Sequence, residues 1–222
     1  MQDNGFEHAQ QAVGIEEWLD LVEDVLQGLH HGLNNRIGSL SALVELYQLD
    51  AGAPDAPTLA SMSADIARLE ECSRVARLLP RAPAVGEEPL TLEDVFADAF
   101  AIHRFLHDTR DVRVAIAPAR YTEPVRVERS ALVHALTLIL NDAKRLAKAT
   151  GSVVRSSMES DEQWVRVELQ IGTPLVADVP RPLKTDYADR LAETFGGVVH
   201  RKPGVVELKL PTLKARRAAD RR

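Results

Sequence analysis

The chain has 222 residues, of which 45% are hydrophobic and 27% are charged, so its length suits one or two small domains. Its formal charge is −6, and because segment 214–222 holds five basic residues and one acidic residue, the remainder carries −10. Such an acidic body, with only 5% aromatic residues, is not expected to bind nucleic acid. The single Cys72 excludes an internal disulfide and indicates a reducing compartment.

No stretch of the sequence approaches the roughly 18 apolar residues of a membrane span. The first residues also lack a basic segment followed by an apolar one. We therefore expect a cytoplasmic protein that does not enter a membrane. The basic segment 214–222 is expected to be a disordered tail or to contact an acidic partner.

In chain order, a flexible N-terminus of residues 1–14 precedes a helix predicted from about residue 15 to residue 49. His31 and Asn35 are four residues apart, so both side chains project from one face of this helix, where a partner protein can reach them. Apolar residues recur every three or four positions and form a neighbouring seam. The seam consists of Val22, Leu26, Leu29, Leu33, Ile37, Leu40, Val44 and Tyr47.

Residues 52–57 contain two prolines and a glycine, which end the first helix. Thr58 is the predicted N-cap of a second helix that runs to about Leu79. The two helices form a hairpin over residues 15–79, which cannot bury all of its apolar seam alone. Two copies are expected to pair into a four-helix bundle with two-fold symmetry, so the sequence predicts a homodimer.

The Pro-rich residues 80–90 are a predicted linker, and from 91 to 213 the pattern changes to mixed helices and strands. Helices are predicted at about 91–107, 130–148 and 186–194, and strands at 112–116, 125–127, 152–158, 164–171, 198–201 and 205–210. The expected fold class is α+β, in which the hairpin is followed by an α/β sandwich of one helical layer on one sheet.

The segment from His31 to Ile37 reads His-Gly-Leu-Asn-Asn-Arg-Ile. It resembles the H-box of two-component sensor histidine kinases, which reads roughly His-Glu-Leu-Asn-Asn-Pro-Leu. The resemblance implies that His31, rather than His30, accepts a phosphoryl group, and that Asn35 positions water or a partner. Its alternative is a solvated histidine on a bundle surface.

Gly32 departs from the H-box pattern, because the kinases have an acidic residue at this position that orients the imidazole. A glycine costs a helix about 1 kcal/mol relative to alanine. Two reasons for it stay open, namely the close approach of a partner's backbone and a slight kink of the helix.

The second domain resembles the ATP-binding domain of the same kinases in its framework, and this resemblance rests on segments 127–136, 195–199 and 204–211. The kinase N-box presents two asparagines four residues apart, one of which holds Mg²⁺, and the matching positions are Thr137 and Asn141. The adenine-binding Asp-x-Gly-x-Gly is replaced by residues 170–174, and the second glycine-rich loop by residues 180–185, so no phosphate-binding nest is expected. We predict a degenerate ATPase-like domain that does not bind ATP, with residual binding through Asn141 left open.

A kinase framework that keeps the histidine but lacks the nucleotide loops resembles the two-domain histidine phosphotransferases of bacterial phosphorelays. The resemblance implies that His31 shuttles a phosphoryl group between receiver-domain aspartates of response regulators, with a hybrid histidine kinase as a further partner. The chain itself needs no cofactor, because the Mg²⁺ is expected in the partner's receiver domain. Two alternatives stay open: a non-catalytic dimeric adaptor, in which His31 is incidental, and a response-regulator phosphatase, in which Asn35 orients water.

A metal site is the weakest candidate. His103 and His107 are four residues apart on a predicted helix, but no third ligand accompanies them. Solvated or capping roles are therefore expected for both residues.

Overall fold

A computed structural model describes residues 4–50, 53–79, 86–109, 111–117, 121–172 and 186–219. The side chains of residues 4–17, 50 and 186 are outside this description. Three segments on which the sequence made predictions also lie outside the described residues, namely most of the linker, most of the replaced nucleotide loops and the last three residues of the basic tail.

Two long antiparallel helices open the chain, α1 (Asn4–Asp50) and α2 (Ala56–Leu78). α1 begins upstream of its predicted start at residue 15. The N-cap of α2 is Asp55 rather than the predicted Thr58, because the Asp55 carboxylate accepts a hydrogen bond from the Thr58 backbone amide at 2.9 Å. Pro57 then occupies the first turn of α2, where its missing N–H costs no helical hydrogen bond.

The remainder of the described chain is a mixed α/β domain. Its helices are α3 (Leu92–His103), α4 (Arg129–Thr150), α5 (Asp186–Thr194) and α6 (Leu213–Ala219), and its strands are β1 (Glu88–Leu90), β2 (Val114–Ile116), β3 (Val125–Val127), β4 (Val154–Ser160), β5 (Trp164–Ile171), β6 (Val198–Lys202) and β7 (Val205–Pro211). The predicted α+β class, with a hairpin followed by an α/β domain, is confirmed.

Five of the strands form one sheet in the order β2-β4-β5-β7-β6. Only β2 and β4 are parallel, and the other neighbours are antiparallel. Alternate residues of β5 are buried, as a half-covered sheet requires, with Val165, Val167 and Leu169 inward and Arg166 and Glu168 outward. A separate antiparallel pair joins β1 to β3, so the end of the predicted linker is a strand.

The hydrophobic core of the α/β domain continues into the hairpin. Trp18, Leu21, Val25 and Leu29 of α1 are buried in the same cluster as the residues of α3, α4 and α5. The first half of α1 therefore buries its apolar stripe against the second domain, whereas its second half packs mainly on α2.

Part of the predicted basic tail is the helix α6. Arg216 donates a hydrogen bond to the Arg126 carbonyl and forms an ion pair with Glu87 at 2.7 Å. Residues 214–219 are thus folded against the strand pair, and disorder is the wrong expectation for them. No helix in the described part of the chain is both long and apolar enough to cross a membrane.

Candidate functional site

The candidate phosphoacceptor His31 is exposed on α1, and Asn35 is exposed one turn further along the same face. The Asn35 Nδ2 atom lies 3.0 Å from His31 Nε2. An amide nitrogen can only donate, so Nε2 accepts this hydrogen bond and the ring proton is on Nδ1. The structure therefore brings together the two residues that the sequence singled out.

Gly32 faces the inside of the molecule and not the face that carries His31. A Cβ atom at this position would lie 3.7 Å from the Cys72 Sγ atom and 3.8 Å from Phe105 Cε1. These neighbours belong to the same chain, and the distances are ordinary van der Waals contacts. A side chain at position 32 would thus begin between α2 and the turn that follows α3.

The close backbone approach in α1 is at Gly28, which sequence analysis did not single out. A Cβ atom at Gly28 would lie 2.0 Å from the Phe105 backbone oxygen. No side chain fits there without moving the helix or the turn after α3. Because Gly28 precedes His31 by three residues, this contact holds the second domain within one helical turn of the candidate phosphoacceptor.

Near the contact between Gly28 and Phe105, ion pairs join α2 to α1 and to the end of α3. Glu71 accepts from Arg68 at 3.0 Å and from Arg104 at 2.9 Å, so a residue of the hairpin is joined to the end of α3. Arg36 pairs with the buried Asp65 at 2.8 Å and joins α1 to α2. The three arginines and Glu71, with Gly32, Cys72 and Phe105, surround a small cavity of about 200 Å³.

A second ionic contact links the hairpin to the domain further along α2. The buried Asp98 carboxylate of α3 accepts from Arg74 at 3.0 Å and from Arg129 at 2.6 Å. One carboxylate thus holds guanidinium groups from α2 and α4. Its two bonds satisfy a charge that would be costly to bury unpaired.

An aromatic stack lies in the same interface at Trp18, the first residue of α1 whose side chain the structure describes. The rings of Trp18 and His134 are stacked with centroids 3.9 Å apart. Burial lowers the pKa of His134 to about 4, so the imidazole is neutral at pH 7. Among the described residues, neither Trp18 Nε1 nor His134 Nε2 has a hydrogen-bond partner.

The residues at and near the N-box positions are buried and make polar contacts within the chain. Thr137 is buried and its hydroxyl donates to the Val133 carbonyl at 2.7 Å. Asn141 is buried, and the Lys144 ammonium lies 3.2 Å from His103 Nδ1. Burial lowers the pKa of His103 to about 3 and that of Lys144 to about 8.

The expected solvated or capping role does not hold for His103. It is fully buried at the end of α3, whereas His107 is exposed in the following turn. Within the described residues, no three His, Cys, Asp or Glu side chains are grouped so that they could hold a metal ion.

One side of the hairpin carries apolar side chains that remain about half exposed in the single chain. On α1, Leu26 is 49%, Ile37 53% and Val44 45% exposed. At 3.6 residues per turn, these residues lie roughly 120° to 140° around the helix from His31. Leu59 and Ile66 of α2 are exposed as well.

Solved structures with a similar fold are histidine kinase domains, although no family model and no curated protein matches the sequence. A histidine kinase from Burkholderia phymatum STM815 is 17% identical, with 91% of this chain and 97% of that chain covered and a TM-score of 0.45. The histidine kinase AdeS of Acinetobacter baumannii is 14% identical, with 82% and 98% covered and a TM-score of 0.44. A structure described as a bacterial phosphotransferase is 15% identical, with 86% and 95% covered and a TM-score of 0.42.

Proposed function

We propose that the protein is a cytoplasmic histidine phosphotransferase of a bacterial two-component phosphorelay, and that it passes a phosphoryl group between receiver-domain aspartates through His31. The observation that supports this most directly is the pairing of His31 and Asn35 on an exposed face of the hairpin. The face is not covered by the second domain, which packs around the helix on the side of Gly28 and Gly32. A receiver domain can therefore approach the imidazole.

The transfer needs little from the chain itself. The Nε2 lone pair attacks the phosphorus of the receiver's aspartyl phosphate, the P–O bond to the aspartate breaks, and the carboxylate leaves with the bonding electrons. The partner's Mg²⁺ offsets the negative charge on the transferred group. Transfer to a second receiver is the reverse of this step, in which the P–N bond breaks.

The N-box contacts support a role without ATP. In the described residues, the side chains of Thr137, Asn141 and Lys144 are buried, and those of Thr137 and Lys144 bond to groups of the same chain. Binding of nucleotide phosphates by these residues would require breaking the contacts with His103 and the Val133 carbonyl. We propose that the α/β domain serves for docking.

The half-exposed apolar side of the hairpin supports a homodimer. Leu26, Ile37 and Val44 of α1 and Leu59 and Ile66 of α2 are each about half exposed, and burial of such side chains is favourable by about 25 cal/mol per Å². A second hairpin would cover them in a four-helix bundle. Because His31 lies on another side of α1, both phosphoacceptor faces would stay accessible.

A phosphotransfer time course tests the proposal. The dimer would be mixed with a purified phosphorylated receiver domain from the same organism, and the acid-labile label on this chain would be followed. His31→Ala should abolish labelling while the dimer persists, and His30→Ala, a change at the adjacent exposed histidine, serves as the matched control. Persistent labelling of the His31→Ala protein would refute the assignment.

The phosphatase alternative is favoured by the same Asn35 contact, since an amide one turn from the imidazole can also orient water. The time course separates the two functions, because a phosphatase releases inorganic phosphate without labelling His31. A protein that neither accepts label nor releases phosphate would instead be an adaptor.

A further inference from the structure

The hydrogen bond between Asn35 and His31 determines which ring nitrogen is available for attack. A neutral imidazole has one nitrogen that carries the proton and one that carries the lone pair, and the partner of either nitrogen decides between the two tautomers. Here the Asn35 amide nitrogen lies 3.0 Å from Nε2. It can only donate, so it stabilises the tautomer whose lone pair is on Nε2.

We propose that Asn35 is a positioning residue that selects the Nδ1-protonated tautomer of His31 and thereby makes Nε2 the nucleophile. Nε2 is the ring nitrogen furthest from the backbone, and the exposed position of the side chain directs it towards an approaching receiver. The consequence for phosphoryl transfer rests on the proposed function. The choice of tautomer is a property of the unphosphorylated chain.

Position 32 does not share this task with Asn35. A carboxylate within reach of the ring would accept from Nδ1–H and select the same tautomer from the other side. Gly32 has no side chain, and its Cα–H faces Cys72 and Phe105. For His31, the contact with Asn35 is the side-chain hydrogen bond that the structure shows.

The atoms balance without a proton acceptor. As Nε2 forms its bond to phosphorus, the aspartate carboxylate departs and the proton stays on Nδ1, so the ring carries the positive charge beside the transferred phosphoryl group. The Asn35 amide must first release the Nε2 lone pair. The cost is small, because a hydrogen bond between exposed groups contributes little net free energy in water.

Isosteric replacement of Asn35 tests the inference. Aspartate keeps the shape of the side chain but only accepts hydrogen bonds, so Asn35→Asp should move the proton to Nε2. Asn35→Ala should remove the preference and change the ratio of tautomers about two- to twelvefold, as expected for one hydrogen bond. Asn34→Asp introduces the same charge at the adjacent exposed position, and it serves as the matched control.

The tautomer would be read by long-range ¹H–¹⁵N correlation spectra of the ¹⁵N-histidine-labelled homodimer at alkaline pH, with His31 assigned by its loss in His31→Ala. We expect a protonated Nδ1 and an unprotonated Nε2 in the wild type and in Asn34→Asp, and the reverse in Asn35→Asp. A protonated Nε2 in the wild type, or identical spectra for the two aspartate variants, would overturn the proposal.

Phosphotransfer measured on the same proteins separates this inference from the proposed function. Transfer to Asn35→Asp should be slower than transfer to Asn34→Asp, because the lone pair of Nε2 is lost. If the wild type has the expected tautomer but accepts no phosphoryl group, the phosphotransferase proposal fails and the role of Asn35 in selecting the tautomer stands. If it accepts the group with Nε2 protonated at rest, the selection by Asn35 is refuted and the proposed function stands.

Discussion

Replacing Gly28 with alanine should separate the hairpin from the α/β domain. The new Cβ would lie 2.0 Å from the Phe105 backbone oxygen, whereas Cβ atoms essentially never come closer than 3.0 Å to a heavy atom. Helix α1 and the turn after α3 must therefore move apart by about 1 Å or more, in an interior that is packed as densely as an organic crystal. The obstacle is backbone, which cannot rotate away as the end of a long side chain can.

The magnitude follows from two opposing contributions. Alanine favours the helix over glycine by about 1 kcal/mol, and overpacking of a well-packed site costs about 1–3 kcal/mol. Gly38→Ala in the same helix isolates the first contribution, because no atom lies within 4 Å of its added Cβ. The free energy of unfolding of Gly28→Ala should thus be about 1–3 kcal/mol below that of Gly38→Ala.

Urea denaturation of the wild type, Gly28→Ala and Gly38→Ala, each with Trp164 replaced by Phe, measures this difference. The remaining tryptophan emission then reports on the interface, because Trp18 is stacked on His134. Gly32→Ala provides a second control, since its Cβ would make only ordinary contacts at 3.7 and 3.8 Å. It should be as stable as Gly38→Ala or more so. If Gly28→Ala is equally stable and its Trp18 emission is unchanged, the close approach at Phe105 is not a constraint on the interface.

Three further predictions concern the dimer, the pH dependence of stability and the nucleotide. Ile37→Asp should convert the dimer into a monomer, as measured by light scattering. Leu46 is equally exposed but lies on the opposite side of α1, so Leu46→Asp should leave the dimer intact. Equal effects of the two substitutions would contradict the proposed interface. Burial lowers the pKa of His134 to about 4, below its unfolded value of about 6.5. Between pH 6.5 and pH 4 the unfolded chain therefore binds more protons than the folded chain. The free energy of unfolding should fall by a few kcal/mol as the pH decreases across this range. His134→Phe should reduce this pH dependence, and the share due to His103, whose pKa shifts in the same direction, should remain. Calorimetric titration with Mg-ATP should show no saturable binding at micromolar concentration, and binding accompanied by autophosphorylation would indicate a divergent kinase instead.

The elements that were predicted best are those whose pattern is local. β5 and α5 have the bounds that alternation and helical spacing predicted, because their residues alternate between a buried and a solvent face. β1 was missed, since three residues that include Pro89 have no periodicity of their own and become a strand only by pairing with β3. Asp55 was missed as the cap of α2 because Thr58, three residues later, has an equally suitable side chain.

The candidate site shows the same division between local and long-range information. The pairing of His31 and Asn35 follows from a spacing of four residues on one helix, and the sequence predicted that both project from one face. The contacts of Gly28 and Trp18 join residues more than 70 positions apart, so no local pattern indicates them. A glycine in the middle of a long helix can indicate the close approach of another backbone, but Gly28 was not interpreted in this way from the sequence.

The continuity of α1 from Asn4 to Asp50 has a mechanical consequence. Trp18 and His31 are on one rigid rod, about 20 Å apart along its axis, and the α/β domain is fastened to the same rod at Trp18 and Gly28. Any torque that turns α1 therefore carries the domain and the imidazole as one body, and their mutual geometry is preserved. Movement of the domain relative to the imidazole would require the contacts at Trp18 and Gly28 to break.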